Sequence, residues 1–230
     1  MRHLKQENMS RSDLGWLQSL FHFSFADYYN PDNMRYGVLR VINDDLVASQ
    51  SGFELHPHRN MEIISYVVDG ALTHGDSMGN KRTITRGQVQ YMSAGKGIYH
   101  SEHNLGSATA RFLQIWIVPD KNGHEPQYGD YTFDWEARQG QWLHLVSGID
   151  GQAPIRIHQD VNFYATEIAA GEKITFNLNQ GRQGYMVLIE GNLAVDAVHL
   201  EARDALEFSE GNLELTAKER SHVLLIEMKS

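Results

Sequence analysis

The sequence predicts an all-β protein made of two tandem, jelly-roll-like β-barrels, and three observations lead to this prediction. Short runs of β-branched and aromatic residues recur along all 230 residues. Turn-forming Gly, Asn and Asp residues separate these runs at intervals of about 8–12 residues. Related stretches recur in the two halves, and helical periodicity is almost absent. Many short strands with frequent turns are typical of sandwiches and barrels.

The predicted strands follow one another along the chain with few helices between them. In the first half they span residues 37–42, 53–58, 62–68, 71–75, 87–92, 99–103 and 112–118. In the second half they span residues 142–146, 155–159, 163–168, 173–178, 185–189, 192–195, 205–208, 213–217 and 221–228. Short helices are predicted only at 9–18 and 135–139.

A repeat relates the two halves and predicts two domains, residues 1–135 and 136–230. Residues 67–72 (VVDGAL) resemble residues 188–193 (LIEGNL), each with a glycine turn. Aligning the turns pairs His56, His58, His100 and Glu102 with Asn177, Asn179, Thr216 and Lys218. Because a lysine repels a cation, the second domain is predicted to bind no metal.

Composition excludes several classes of function. The chain has 29 acidic and 20 basic residues, for a net charge of −9. This balance argues against nucleic-acid partners and anionic membranes, which attract Lys and Arg. No cysteine is present, so any metal must be held by His, Asp or Glu. No apolar run approaches the ~20 residues that span a bilayer, and the amino terminus does not resemble a signal peptide. We therefore expect a soluble, cytoplasmic protein.

Four side chains in the first half have the spacing of a metal site. His56 and His58 are two residues apart, and so are His100 and Glu102. Alternate residues of a strand project from one face, so two strands that line a barrel can bring all four together. Such a donor set leaves open positions on an octahedral ion, which indicates a catalytic site. An isolated histidine would instead be read as a turn residue with satisfied hydrogen bonds, but the paired spacing favours a metal.

The same residues carry a family resemblance. Residues 52–62 (GFELHPHRNME) resemble the first cupin motif, and residues 87–104 resemble the second. The runs HPHR at 56–59, MSAGKGIYHSE at 92–102 and FSFADYY at 23–29 are similar to the pirin family. This resemblance extends over essentially the whole chain and implies a bicupin fold. It implies iron ligands at His56, His58, His100 and Glu102. Glu62 occupies the glutamate position of other cupins and would bind metal only if Glu102 moved away.

The resemblance further implies a metal-dependent dioxygenase that cleaves a flavonol such as quercetin and releases carbon monoxide. Glu102 would then accept the substrate proton, in addition to its role as a ligand. One divalent ion per chain is expected. Fe(II) is the leading candidate, and Mn, Co, Ni, Cu or Zn also suit this donor set. The expected partners are a small aromatic substrate and dioxygen, and the expected state is a monomer.

Two alternatives from other classes stay open. One is a non-enzymatic sensor, whose iron redox state changes its affinity for a protein partner, because the family also includes a human nuclear co-regulator. The other is a different cupin enzyme that acts on another small molecule, such as an isomerase or a small-acid dioxygenase. Turnover would identify an enzyme, whereas redox-dependent binding without a product would identify a sensor.

Other residues of the first half are weaker candidates for the site. His74 and Asp76 lie near a turn, where a solvated hairpin end is the favoured interpretation and contact with the metal ligands is the alternative. Six apolar residues are candidates for a substrate cavity or, equally, for the ordinary core: Phe21, Phe23, Phe25, Phe53, Met61 and Trp116.

Overall fold

The computed structural model describes residues 1–209 and 211–230, and strands dominate them. These residues form two compact units. The first unit comprises Ser10–Phe133 with Ile157–Gln159, and the second comprises Met1–Met9, Asp134–Arg156 and Asp160–Ser230. The all-β prediction is confirmed. The predicted boundary between residues 135 and 136 stays a prediction.

The first unit consists of a seven-stranded and a four-stranded antiparallel sheet. Its strands are β2 (Ser10–Asp13), β3 (Leu17–Phe21), β4 (Leu39–Val47), β5 (Ser51–His58), β6 (Glu62–Asp69), β7 (Ala71–Asp76), β8 (Lys81–Thr85), β9 (Val89–Ser93), β10 (Ile98–Asn104), β11 (Ala110–Ile117) and β12 (Gln127–Tyr131). The larger sheet has the order β12-β9-β6-β11-β4-β3-β2, and the smaller has the order β5-β10-β7-β8. Side-chain hydrogen bonds from β10 to β6, β9 and β11 show that the two sheets face each other.

The second unit repeats this plan. Its strands are β1 (Arg2–Leu4), β13 (Leu143–Gly148), β14 (Ile155–Ile157), β15 (Val161–Ile168), β16 (Lys173–Asn177), β17 (Arg182–Glu190), β18 (Asn192–Val195), β19 (Val198–Glu201), β20 (Ala205–Phe208), β21 (Asn212–Ala217) and β22 (Ser221–Lys229). They form the orders β1-β20-β17-β22-β15-β13-β14 and β16-β21-β18-β19. Both units are jelly-roll-like pairs of sheets rather than closed barrels.

The predicted helix at 9–18 is wrong, because this segment contributes to β2 and β3. Ser10 pairs with Phe21 and Asp13 with Gln18, so the segment forms a hairpin at the edge of the larger sheet. In β2 the exposure of successive residues alternates, which is the period of a strand. The predicted helix at 135–139 is a short 3₁₀ turn over Glu136–Arg138.

The cores of the two units differ in composition. In the second unit, a large cluster of apolar side chains comes from both sheets. The first unit has smaller apolar clusters at Val67, Leu72 and Phe112 and at Ile63 and Met92. Polar side chains occupy the space between them, and these side chains form the candidate site.

Candidate metal centre

Strands β5 and β10 bring three histidines together at one end of the first unit. His56 pairs with His100, and His58 pairs with Ile98. Beyond this point the register shifts, so that Glu102 lies opposite Phe53. β5 is an edge strand of its sheet, which allows Pro57 to lie within it although proline cannot donate a ladder hydrogen bond.

The three imidazoles are close enough to hold one ion. The ring centroids are 4.8 Å apart for His56 and His58, 4.5 Å for His56 and His100, and 4.9 Å for His58 and His100. Within each of two triplets, His56–His58–His100 and His74–His100–Glu102, the candidate ligand atoms all lie within 4.8 Å of one another. His100 belongs to both triplets and is therefore the centre of the cluster.

The protonation states of the histidines fit a metal. Burial, reinforced by His100 and His56, lowers the pKa of His58 to about 4. Burial, reinforced by His56 and His74, lowers the pKa of His100 to about 3. Both rings are thus neutral at pH 7, which is the form that binds a metal. Neither ring nitrogen of buried His100 has a hydrogen-bond partner among the described residues, an arrangement that a metal ligand would explain.

A backbone contact orients His56. Its Nδ1 lies 2.7 Å from the carbonyl oxygen of Glu54. Because a carbonyl only accepts, Nδ1 carries the proton and donates it. The lone pair then lies on Nε2 and is available to a cation. Metal-bound histidines are commonly oriented in this way by a contact to the other nitrogen.

Glu102 is buried in a network of polar side chains. Gln90 Nε2 donates to Oε1 at 2.7 Å, and Gln114 Nε2 donates to Oε2 at 2.6 Å. The Ser65 hydroxyl lies 3.0 Å from Oε1. Glu102 is only 2% exposed, so these donors replace the water that a carboxylate would otherwise require. A carboxylate has about four lone-pair sites, which leaves few for a metal or a proton.

His74 lies in the cluster rather than at a solvated hairpin end, so that interpretation is wrong. It is 1% exposed and pairs with Glu102 across β7 and β10. Its Nε2 lies 2.9 Å from Asp76 Oδ2, and its Nδ1 has no partner among the described residues. Burial raises the pKa of Asp76, but hydrogen bonds from His74 and Asn80 outweigh burial and lower it. His74 and Asp76 are two residues apart, as are His56 and His58 and also His100 and Glu102. This spacing was the sequence pattern that could have placed His74 in the site.

A cavity of about 670 Å³ opens onto this His/Glu cluster, the side chains of His56, His58, His100 and Glu102. Its walls include Trp16, Phe53 and Trp116, and the Trp116 ring lies 4.9 Å from that of His58. Phe21 and Phe25 also line it. This size and a wall that combines aromatic and polar side chains are typical of sites for small organic ligands.

The structure does not bring three other candidates into this cavity. Glu62 lies on the opposite face of β6 from Ser65, where Ser93 donates to it at 2.7 Å. Glu62 is therefore not placed to replace Glu102. Met61 lines a separate cavity, together with Phe25 and Trp116. Phe23 is a core residue that is 1% exposed.

The strand register shows which residues of the second unit match the candidate metal ligands of the first. They are not the residues that the sequence alignment predicts. The turns at Gly70 and Gly191 correspond, so the pair His74–Glu102 matches the pair Val195–Leu215. The pair His56–His100 then matches Phe176–Leu213. The equivalents of His56, His58, His100 and Glu102 are Phe176, Leu178, Leu213 and Leu215, not Asn177, Asn179, Thr216 and Lys218.

The network around Glu102 is replaced in the same way. Ser65, Gln90 and Gln114 pair with one another across β6, β9 and β11. Their equivalents across β17, β20 and β22 are Met186, Leu206 and Leu225. All of these replacements belong to the apolar core of the second unit. Among residues 1–209 and 211–230, the groups of potential metal ligands lie in the first unit.

Two jelly-roll units, one with an apolar interior and one with a His/Glu cluster beside an aromatic cavity, define a bicupin with a candidate metal site. Residues 3–117 match the Pirin family model, and residues 144–228 match the model of a quercetinase C-terminal cupin domain. The chain belongs to the pirin family, and the predicted bicupin fold is confirmed.

Similar proteins carry two kinds of name. The chain is 43% identical over 223 residues to a pirin-like protein of Caulobacter vibrioides, covering 96% of each. It is 38% identical over 231 residues to a quercetin 2,3-dioxygenase of Escherichia coli, covering 99% of each. The solved structure of the bacterial pirin YhhW from Escherichia coli in complex with nickel(II) matches with a TM-score of 0.91 at 34% identity, covering 99% of this chain and 98% of that one.

No helix within the described ranges is both long enough and apolar enough to cross a bilayer.

Proposed function

We propose that this protein is a metal-dependent dioxygenase that opens the central ring of a flavonol and releases carbon monoxide. The observation that carries the proposal is the position of the His/Glu cluster at the wall of an aromatic-lined cavity. A flat polyphenol suits such a cavity. The similar protein of Escherichia coli carries the name quercetin 2,3-dioxygenase.

His56, His58 and His100 would hold the ion, with Glu102 as the fourth ligand. These donors include three neutral imidazoles and one carboxylate, which suits Fe(II), Mn, Co, Ni, Cu or Zn. The bound ion would act as a Lewis acid for the substrate oxygens. A nickel complex of a relative supports metal binding at this fold, and Fe(II) stays a prediction.

Glu102 would take the proton of the substrate 3-hydroxyl. Its carboxylate receives hydrogen bonds from Gln90 and Gln114, so these amides hold it at the cavity wall. Because most of its lone-pair sites are in use, Glu102 would bind the metal and accept the proton in turn rather than together. Both atoms of dioxygen would enter the ring-opened ester, and the carbon that bears the 3-hydroxyl would leave as carbon monoxide.

The aromatic wall would orient the substrate rings. Phe53 lies edge-on to Trp16 with ring centroids 5.3 Å apart, and Phe25 lies edge-on to Trp116 at 5.5 Å. Such pairs are rigid platforms for a flat ligand and exclude water from its faces.

The experiment that tests this proposal combines elemental analysis with oxygen uptake. The protein is purified without added metal, its metal is identified by mass spectrometry, and quercetin is added in air-saturated buffer. We expect one oxygen consumed and one carbon monoxide released per quercetin. A metal-loaded protein that consumes no oxygen with any flavonol would refute the reaction and leave the iron-redox sensor and a cupin enzyme with another substrate as the open alternatives. The cytoplasmic location and the monomeric state also stay predictions.

A further inference from the structure

Besides the ring nitrogens of His100, two buried polar atoms in the cavity wall have no hydrogen-bond partner among the described residues. They are the side-chain oxygen Oδ1 of Asn43 and the indole nitrogen Nε1 of Trp116. Asn43 is only 4% exposed, and both side chains line the cavity. Buried polar atoms in proteins nearly always have a partner, so an unpaired acceptor and an unpaired donor in one cavity indicate groups reserved for a ligand.

The strand register places Asn43 beside the His/Glu cluster but not within it. Asn43 on β4 pairs with Gln114 on β11, and Gln114 donates to Glu102 at 2.6 Å. Asn43 therefore lies one strand, about 4.8 Å of backbone spacing, from Gln114, the residue that contacts Glu102. Asn43 and the three histidines line the same cavity, so a ligand held at the histidines by one edge can contact Asn43 with another part.

The neighbouring groups restrict the chemistry of that part of the ligand. Asp45 follows Asn43 on the same face of β4, and its Oδ1 accepts a hydrogen bond from Ser19 Oγ at 2.5 Å. Asn43 and Asp45 thus present oxygen acceptors to the cavity. A carboxylate on the ligand would meet these oxygens unfavourably, whereas a hydroxyl can donate to them.

We infer that Asn43 is a specificity-determining residue that accepts a hydrogen bond from a phenolic hydroxyl on the substrate ring remote from the metal. Trp116 Nε1 donates to a second oxygen of the same ligand. The substrate class is a neutral polyphenol rather than a small carboxylic acid. This inference rests on the proposed function, because it takes the His/Glu cluster as the place where the other end of the substrate binds.

A pair of flavonols that differ by one hydroxyl tests the inference. Galangin has no hydroxyl on its pendant ring, whereas kaempferol has one. Their dissociation constants for the nickel-loaded protein are measured with oxygen excluded, by quenching of the fluorescence of Trp16 and Trp116, both in the cavity wall. We expect kaempferol to bind about tenfold more tightly, the scale of one buried hydrogen bond.

Variants identify the residue that causes the preference. Asn43→Leu removes the acceptor at nearly constant volume, so the two flavonols should bind equally, with the constant for galangin changed less than about twofold. Asn43→Ala provides a second test if the leucine variant does not fold, and it should also lose the preference. Asn122→Leu replaces an exposed asparagine and serves as the matched control.

The outcomes separate this inference from the proposed reaction. A preference that persists in Asn43→Leu or Asn43→Ala, or the lack of any preference in the unmodified protein, overturns the inference even if quercetin is oxygenated. An Asn43-dependent preference without oxygen consumption supports the inference and refutes the reaction. No binding of either flavonol overturns both.

Discussion

The two units share their strand order but fill their interiors with opposite chemistry. In the first unit the space between the sheets holds His56, His100 and Glu102, and in the second unit Phe176, Leu213 and Leu215 occupy the matching positions. The fold therefore does not require polar side chains at these positions. We propose that these side chains serve the function of the first unit, whereas the matching positions of the second unit contribute to its apolar core.

The difference also has an energetic consequence. An apolar side chain gains free energy when it leaves water, whereas a buried polar group must first recover the hydrogen bonds that it loses. Ser65, Gln90 and Gln114 donate hydrogen bonds to the Glu102 carboxylate. The ring nitrogens of His100 have no hydrogen-bond partner among the described residues. We expect the metal-free first unit to be the less stable of the two and the metal to stabilise it by mass action.

The largest expected effect is the loss of the metal in His100→Ala. His100 belongs to both triplets of candidate ligands, so its removal leaves no complete set. Metal affinity should fall by more than about a hundredfold, and flavonol oxygenation should be lost with it. Metal content after dialysis is measured by mass spectrometry. Retention of full metal content would show that His100 is not a ligand.

The matched change in the second unit should affect stability and leave metal content unchanged. Leu213 is 1% exposed and lies in the apolar core. Leu213→Ala should lower the free energy of unfolding by about 2–5 kcal/mol, through lost burial and the cavity that remains. Urea unfolding measures this change. If Leu213→Ala instead released the metal, the proposed division of roles between the units would be wrong.

Glu102→Gln separates the ligand role from the base role. The substitution keeps the size of the side chain and one acceptor oxygen but removes its charge and basicity. Gln90 and Gln114 can rotate their amides to present an oxygen to the new NH₂ group. We expect metal to be retained at reduced affinity and turnover to fall about a hundredfold, the usual scale for a general base.

This comparison needs the metal content of each variant alongside its turnover. Full turnover at full metal content in Glu102→Gln would remove the base role from Glu102. Because Glu62 faces away from the cavity, His74 would then be the residue to test next.

The smallest expected effect is that of pH on metal binding. The pKa values of His58 and His100, at about 4 and about 3, keep both rings neutral well below pH 7. Protonation of these two rings should therefore change the nickel affinity by less than about threefold between about pH 7.5 and about pH 6. Two imidazoles with ordinary pKa values would together lower the affinity more than about tenfold over this range and about a hundredfold by about pH 5.5. A titration with nickel at several pH values distinguishes these cases.

The same shifts predict how the metal-free protein responds to acid. In the unfolded chain both histidines take up protons near pH 6.5, whereas in the native state they stay neutral until about pH 4. The unfolded state thus binds more protons in this window, so the free energy of unfolding should fall as the pH falls through it.

Local patterns in the sequence predicted the strands and the convergence of His56, His58 and His100. A period of two places alternate side chains on one face, and this rule needs no knowledge of the partner strand. The alternation also predicted the all-β class. The metal assignment of these residues and Glu102 stays a prediction, although the observed geometry supports it.

Non-local features could not be predicted in the same way. The repeat alignment failed by one residue near Phe176 and by three near Leu213, because turns of unequal length shift the register between the halves. Residues 9–18 lacked strong β patterning, and their strands form because β4 offers a neighbouring edge. His74 is buried, and the Gln90 and Gln114 amides reach Glu102, because the two sheets face each other. No single segment of the sequence encodes that arrangement.

The most direct test of the central claim is to locate the metal in crystals of the nickel-loaded protein by anomalous scattering, with the stoichiometry measured in solution. We expect one ion per chain, bound among His56, His58 and His100 in the first unit. A stoichiometry near two, or an anomalous peak between the sheets of the second unit near Leu213 and Leu215, would contradict it.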